Sequence, residues 1–278
     1  MTTQLKGPDR GYDYAQIETK LVWWLKKYAE NAGVKWFVIW VSGGIDSAVV
    51  STLCAKTGLD LTVITMPIHQ KVDEVDRAAD HIAWLKKNYS NVKDKHVDLT
   101  NTYESIKTAM ALSNDADLSL VNTRSRLRAV TLYAEAAIQK ALVAWTGNKV
   151  EDFWIWFFTK YGDGAVDVSP IWEIVKSEVY KLGASMGVIA SILQAKPTDG
   201  LHPNGATDED QIGATYDELE WAMDVLHDDA GNDTFSTIQE ALAQFPEASR
   251  EQEVLSIYWK RHTANAHKMI MPPILPIH

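Results

Sequence analysis

The sequence predicts an α/β protein: a doubly wound parallel sheet flanked by helices, with a helical C-terminal part. Three observations lead there. Short, nearly continuous apolar runs alternate with segments of helical period, as buried parallel strands and their crossover helices do. The first run ends in a glycine turn that opens straight into a helix, the arrangement that places ligands at the carboxyl ends of strands. The 278 residues, 46% hydrophobic, can bury one sizeable core. No repeat, low-complexity tract or linker divides them, so residues 1–278 are expected to form a single domain.

In chain order, residues 13–31 read as a helix with Ile17, Leu21, Trp24 and Tyr28 at helical spacing. Val34 to Val41 is a buried strand ending in Ser-Gly-Gly. Ile45, Val49 and Leu53 then recur every four residues, so a helix follows, closed by Gly58. Residues 61–68 form a second strand, 72–88 a helix, and 95–99 a third strand. The long helix over 122–143 turns Leu127, Val130, Ala134, Ile138 and Leu142 inward, and 141–145 lead into another strand before Thr-Gly-Asn. A helix over 173–186 carries Val175, Val179, Leu182 and Met186 as its apolar stripe. Residues 199–208 read as a mobile loop, and the last hundred residues as mostly helical down to Lys260.

Composition narrows the function. The 27 basic and 37 acidic side chains leave a net charge of −10, which argues against nucleic-acid or membrane-surface binding. Cys54 is the only cysteine, so neither a disulfide framework nor a cysteine-based zinc site is expected; inside a helix it reads as a small core residue. The first residues lack an apolar leader and no stretch is long and apolar enough to span a bilayer, so the expected location is the cytoplasm.

The sharpest motif is Ser42-Gly43-Gly44-Ile45-Asp46-Ser47 between a strand and a helix. Two glycines let the backbone approach a phosphate. The turn aims successive N–H groups, a helix N-terminus and two hydroxyls at one anionic spot. Asp46 would repel a bare anion there, and makes sense as a ligand of a Mg²⁺ that bridges phosphates. It is neither a Walker A loop, since no Gly-Lys-Ser/Thr follows, nor a dinucleotide fingerprint, since Gly-x-Gly-x-x-Gly is absent.

Ser-Gly-Gly-x-Asp-Ser in this setting resembles the PP-loop of enzymes that cleave ATP between its α and β phosphates. Seven further pieces in fixed order are similar to the ammonia-dependent NAD synthetases from about residue 12 to 273: Asn122 to Arg128, Thr146 to Glu151, Phe158 to Gly164, Pro170 to Lys176, Lys196 to Leu201, Asp208 to Tyr216, and Asn265 to Lys268. The resemblance implies an adenine nucleotide alpha hydrolase-like fold. It also implies a Mg²⁺-ATP-dependent ligase that adenylates the nicotinate carboxylate of deamido-NAD and amidates it with ammonia, releasing AMP and pyrophosphate. At matching positions Ser42, Gly43, Gly44, Ile45, Asp46 and Ser47 would hold the ATP phosphates, with Asp46 and Glu151 as metal ligands. Thr146, Lys176 and Thr198 would contact ATP, and Gln70 would reach its nucleoside. Arg126, Lys160, Asp167, His267 and Lys268 would bind deamido-NAD. Asp163 would lie in a loop closing over the site, and Asp46, Glu151, Asp163, Lys176 and Thr198 would form the catalytic set. The family's dinucleotide groove lies between subunits, so a homodimer is implied. No catalytic-cysteine constellation is visible, so ammonia rather than glutamine is the expected donor.

Taken without the resemblance, several of these residues have plainer readings. Arg124, Arg126 and Arg128 alternate along a helix and would be surface ion-pair partners. Glu151 could stabilise a helix N-terminus, Lys160 and Asp167 could be solvated loop residues, and His267 and Lys268 would be solvent-exposed. Lys176 sits close to a helix start, where the dipole disfavours a cation, which argues for a functional reason.

The chain departs from the family where it carries tryptophan, of which it has 11. Trp40, Trp145, Trp154, Trp156 and Trp172 stand at positions where the family has small residues, and Ala165 replaces a glycine. Such indoles either fill part of the nucleotide or dimer groove or build stacking platforms; Trp36 reads as plain core. The loops around 160–167 and 199–208 are expected to be mobile without ligand.

Overall fold

The computed structural model describes residues 5–113, 118–155, 158–197, 207–228, 230–268 and 274–275. Among these, four parallel strands make one sheet in the order β3-β2-β1-β4: β1 Trp36–Trp40, β2 Asp60–Thr65, β3 Val92–His96 and β4 Leu142–Val143. The chain winds outward from β1 through β2 to β3, then crosses back to lay β4 on the other side of β1. That reversal opens a crevice at the carboxyl ends of β1 and β4, as in other doubly wound sheets.

Strand β1 alternates. Phe37, Ile39 and Val41 face one layer of helices and Val38 faces the other. The first layer is α1 Tyr14–Asn31, α2 Ile45–Lys56, α3 Val72–Asn88, α6 Lys176–Ser185 and the short α7 Ala190–Leu193. The second is α4 Thr100–Ala109 and α5 Leu118–Gln139. A third cluster is helical: α8 Asp208–Ile212, α9 Tyr216–Leu226, α10 Ile238–Leu242 and α11 Arg250–Asn265 pack around Val150, Ile155 and Val175. The α/β reading and the helical C-terminal part therefore hold, and Cys54 is a buried core residue.

The differences have physical reasons. Helix α1 starts one residue late because Asp13 caps it, its carboxylate accepting from the Ala15 and Gln16 N–H groups. Its buried positions are Leu25 and Ala29, beside partly buried Ile17, Leu21 and Val22, so Trp24 and Tyr28 lie outside the stripe. Strand β3 begins three residues earlier than expected. As an edge strand it buries only Val92 and otherwise shows polar side chains, so no apolar run marks it. Trp36 is half-buried rather than core: its indole N–H donates to Thr62 Oγ1 (3.0 Å) and Lys93 Nζ lies 4.3 Å over the ring.

Helix α5 departs most. Val130, Ala134 and Ile138, expected inside, face solvent, while Arg124, Ser125, Arg128 and Glu135 are buried with Leu120, Val121 and Leu132. The inward face mixes apolar and polar groups, and its Ser125 and Arg128 line a cavity beneath the helix. Arg124 and Arg128 are accordingly not surface residues. Arg124 stacks on Tyr103 (4.9 Å), and Arg128 donates to the Met66 carbonyl.

Candidate active site

The Ser42–Ser47 turn spans the end of β1 and the start of α2 and lines a cavity of about 540 Å³. Its shape comes from its own side chains. The Ser42 N–H donates to Ser47 Oγ (3.2 Å), the Gly44 N–H to Ser42 Oγ (3.2 Å), and Ser47 Oγ to the Gly44 carbonyl (3.0 Å). Gly43 has φ +87°, and a Cβ there would lie 2.5 Å from the Glu74 carbonyl oxygen. The turn is thus packed directly against α3, and only glycine fits.

At the mouth of this turn three distant parts of the chain meet. Lys176 Nζ lies 2.5 Å from Asp46 Oδ2 and 2.9 Å from Glu151 Oε1, with its side chain 5% exposed. Asn148 donates to Asp46 Oδ1 (3.2 Å). Burial pushes the Asp46 carboxyl upward against the pull of Lys176. Burial also opposes the charge on Lys176, yet Asp46 and Glu151 outweigh it and hold the ammonium well above its ordinary range. For Glu151, burial works upward, but Lys176 and Tyr216 prevail and leave the carboxyl below its usual value.

Glu151 is delivered by a π-helical turn, Lys149–Trp154, in which the Ile155 N–H reaches the Val150 carbonyl five residues back (3.1 Å). Asn148 caps that turn, accepting from the Val150 and Glu151 N–H groups. Tyr216, at the start of α9, donates its hydroxyl to Glu151 and lies 3.1 Å from Asp208 Oδ2. Among the described residues no group of three or more His, Cys, Asp or Glu side chains is placed to hold a metal on its own. Two carboxylates completed by substrate oxygens would suit Mg²⁺, which commonly binds that way.

Across the cavity, residues 158–166 form the other wall. Asp163 Oδ1 accepts from Ser125 Oγ (2.6 Å) and the Thr159 N–H (2.9 Å), and the Asp163 N–H donates back to Ser125 Oγ (2.7 Å). Burial raises the Asp163 carboxyl while those hydrogen bonds pull it down. The segment expected to be loose is therefore tied to α5. The C-terminal 3₁₀ turn Ala266–Lys268 joins the same wall: Lys160 Nζ donates to the His267 carbonyl (3.0 Å) and Lys268 Nζ to the Phe158 carbonyl (2.7 Å). Arg126 lies at the rim, its Nη2 3.4 Å from the Lys160 carbonyl.

The cavity thus gathers Ser42 to Ser47, Gln70, Thr146, Glu151, Asp163, Lys176, Arg126, Lys160, His267 and Lys268. Asp167 is not among its lining residues. Its carboxylate accepts from the Val143 N–H (2.8 Å) and the Tyr133 hydroxyl (3.2 Å), closing the edge of β4. Thr198, Trp156 and residues 199–206 lie outside the described residues, and Trp154 outside those whose side chains are described.

Trp40 and Trp145 border the cavity without filling the Ser42–Ser47 turn, and Trp172 lies behind Trp145 rather than in the lining. Trp40 carries the Arg128 guanidinium 4.3 Å over its ring, and Arg128 Nη2 donates to Gln70 Oε1 (2.9 Å). Trp145 packs edge-on against Phe158 (5.4 Å) and Trp172 (5.9 Å). A Cβ at Gly164 would meet Phe158 at 2.6 Å and Trp145 at 2.9 Å, so the indole narrows what that loop can carry. Sequence reasoning missed Ser125, Asn148, Asp208 and Tyr216. All four lie in the motif stretches named above; Ser125 sits between more conspicuous arginines, and Tyr216 reads as an ordinary helix start after its Thr215 cap.

Comparison with known proteins bears on this arrangement. A model of the NAD synthase family matches residues 17–272. The NH(3)-dependent NAD(+) synthetase of Alkaliphilus metalliredigens is 34% identical over 266 residues, covering 92% of this chain and 96% of the relative. That of Methanosarcina mazei is 31% identical and covers 94% and 98%. Among solved structures, the NMN synthetase of Francisella tularensis superposes with a TM-score of 0.78 at 29% identity, covering 96% of this chain and all of that one. The NH3-dependent NAD synthetase of Campylobacter jejuni gives 0.73 at 24% identity over 95% and 100%, a likeness of fold.

Proposed function

This chain belongs to the NAD synthase family, as an ammonia-dependent ligase of NAD biosynthesis, and from that premise we propose that it adenylates the nicotinate carboxylate of deamido-NAD with Mg²⁺-ATP and then amidates it with ammonia. The observation that carries the reading is the single cavity. A phosphate-shaped turn, a lysine between two carboxylates and a second basic wall all open into it.

A carboxylate is a poor acyl donor because its leaving group would be an oxide. In the first step its oxygen attacks the α-phosphorus of ATP, the bond from that phosphorus to the bridging oxygen breaks, and pyrophosphate leaves. Ammonia then attacks the carbonyl carbon, loses a proton, and AMP departs. The turn holds the phosphates by N–H groups and hydroxyls, and Lys176 stabilises charge spreading over the α-phosphate. Asp46 and Glu151 would hold Mg²⁺, which supplies charge neutralisation at the phosphates. Lys160, His267 and Lys268 would grip the acid's own phosphates, with Arg126 at the rim. Asp163, braced by Ser125, fixes the loop that excludes water. Asp167 would serve this wall through β4 rather than by direct contact.

A homodimer accords with the surface. The outer side of α5 exposes Val130 (69%) and Ile138 (76%), continuing from Arg126 along the same side. A second copy docked there would complete a groove beside the acid-binding wall.

The test is to supply ATP, Mg²⁺, deamido-NAD and ammonium and measure NAD, AMP and pyrophosphate together. Equal amounts of the three support the reading. Pyrophosphate without NAD points to another acceptor, and no product at all defeats it. The Francisella likeness favours one further arm, the nicotinate mononucleotide offered as an alternative acid. Faster turnover of it would shift the acceptor from dinucleotide to mononucleotide with the chemistry unchanged.

A further inference from the structure

Lys176 is the cation expected to meet the triphosphate, yet it is already shared between Asp46 and Glu151. A turn that carries its own aspartate and must hold a polyphosphate calls for a second positive charge. One stands on the opposite flank. Arg77, in the second turn of α3, lines the cavity beside Gly43, with its Nε 3.4 Å from the Gly43 carbonyl. The close seating of Gly43 against α3 fixes this juxtaposition, because a Cβ at Gly43 would lie 3.4 Å from the Cβ of Arg77.

The guanidinium is held loosely. Its Nη1 pairs with Asp73 one helical turn earlier at 2.7 Å, but Asp73 is 66% exposed. Among the described residues Nη2 has no hydrogen-bond partner. A solvated i,i+4 pair is weak, because water screens the charges and two long side chains must be held in one geometry. A forked, charge-assisted contact to phosphate is stronger and suits the planar guanidinium. Exchange of Asp73 for a phosphate oxygen is therefore favourable and needs only side-chain rotation.

We propose that Arg77 is a phosphate ligand of this site, leaving Asp73 to grip the β,γ end of ATP and then the departing pyrophosphate. The turn is then bracketed by Lys176 on the Asp46 side and Arg77 on the Gly43 side. The inference rests on the ATP-cleaving reading above.

The test is calorimetric titration of inorganic pyrophosphate with Mg²⁺ into the wild-type protein and the variants Arg77→Gln, Arg77→Lys and Asp73→Asn, with AMP as a control. Arg77→Gln should weaken pyrophosphate binding on the order of ten-fold or more. Arg77→Lys should recover part of that, and Asp73→Asn should tighten binding about two-fold by freeing the guanidinium. AMP affinity and melting temperature should stay at wild-type values. The opposite signs of the two charge removals separate ligation from a structural role: equal weakening by Arg77→Gln and Asp73→Asn would overturn the proposal, as would unchanged binding in Arg77→Gln. Wild-type protein that ignores pyrophosphate would remove the ATP-cleaving reading and this one with it. Normal wild-type binding with no effect of Arg77 removes this one alone.

Discussion

Lys176 Nζ and Asp46 Oδ2 lie 2.5 Å apart although 130 residues separate them in the chain. Lys176 is buried and the Asp46 and Glu151 side chains are only 15% exposed, so removing the cation leaves two carboxylates close together with little water to screen them. Lys176→Met should lose catalysis by about 10²-fold or more and stability by about 3–5 kcal/mol. Mg²⁺ should restore part of that stability in the variant and much less in the wild type. Melting curves with and without a chelator check it; a variant as stable as the parent would show that the pair is not held as described.

Ser125 Oγ braces Asp163 twice, donating to its carboxylate and accepting from its backbone N–H. Ser125→Ala should raise KM for the acid substrate about five-fold, the worth of one hydrogen bond, and leave KM for ATP near its original value. Burial already pushes the Asp163 carboxyl up and Ser125 pulls it down. Removing that pull should therefore move the acid limb of the pH–rate profile to higher pH. Steady-state kinetics from pH 5 to 8 read both effects.

Two buried histidines predict how stability responds to acid. Burial lowers His81 and His227 to about 4 from an ordinary value near 6.5. The unfolded chain binds their protons first, so stability is full above pH 6.5 and falls as pH drops toward 4. His81 accepts or donates with Ser51 Oγ at 3.0 Å and stacks on Trp84. His81→Gln should flatten the decline in melting temperature between pH 6.5 and 4.5 by about half, His227 supplying the rest. An unchanged slope would mean that His81 titrates equally in both states.

The exposed apolar side of α5 makes assembly testable. Ile138→Glu or Val130→Glu should give a monomer in light scattering without unfolding, since both side chains are solvent-facing in the single chain. If a groove between copies completes the acid's site, the monomer should bind ATP but lose affinity for the acid. A variant that stays dimeric would place the interface elsewhere.

Much of this was legible in the sequence. Strands β1 and β2 announce themselves because buried parallel strands are mostly apolar, and Ser42 to Ser47 because only glycine permits its close seating on α3. Arg124 and Arg128 were unreadable as buried groups. Nothing local says that a guanidinium will find Tyr103, Trp40 or a carbonyl from β2's exit. For the same reason the apolar positions of α5 pointed the wrong way: periodicity gives a face, and only tertiary context says which side of the wall it occupies. Tyr216 shows the limit plainly, since its partner Glu151 lies 65 residues away. The tryptophans were visible as departures, but whether Trp145 plugs or lines the cavity depended on Phe158 and Trp172 meeting it edge-on.

The wide turn that presents Glu151 sets a rule for loop engineering. Val150 and Ile155 both sink into the same helical core, although on an ordinary α-helix residues five apart would point about 140° away from each other. One extra residue per turn is what reconciles their burial with the aim of the carboxylate between them. Shortening the segment by a single position would tighten the winding, and the chain would then have to choose between seating both aliphatic anchors and keeping its acid on the lysine.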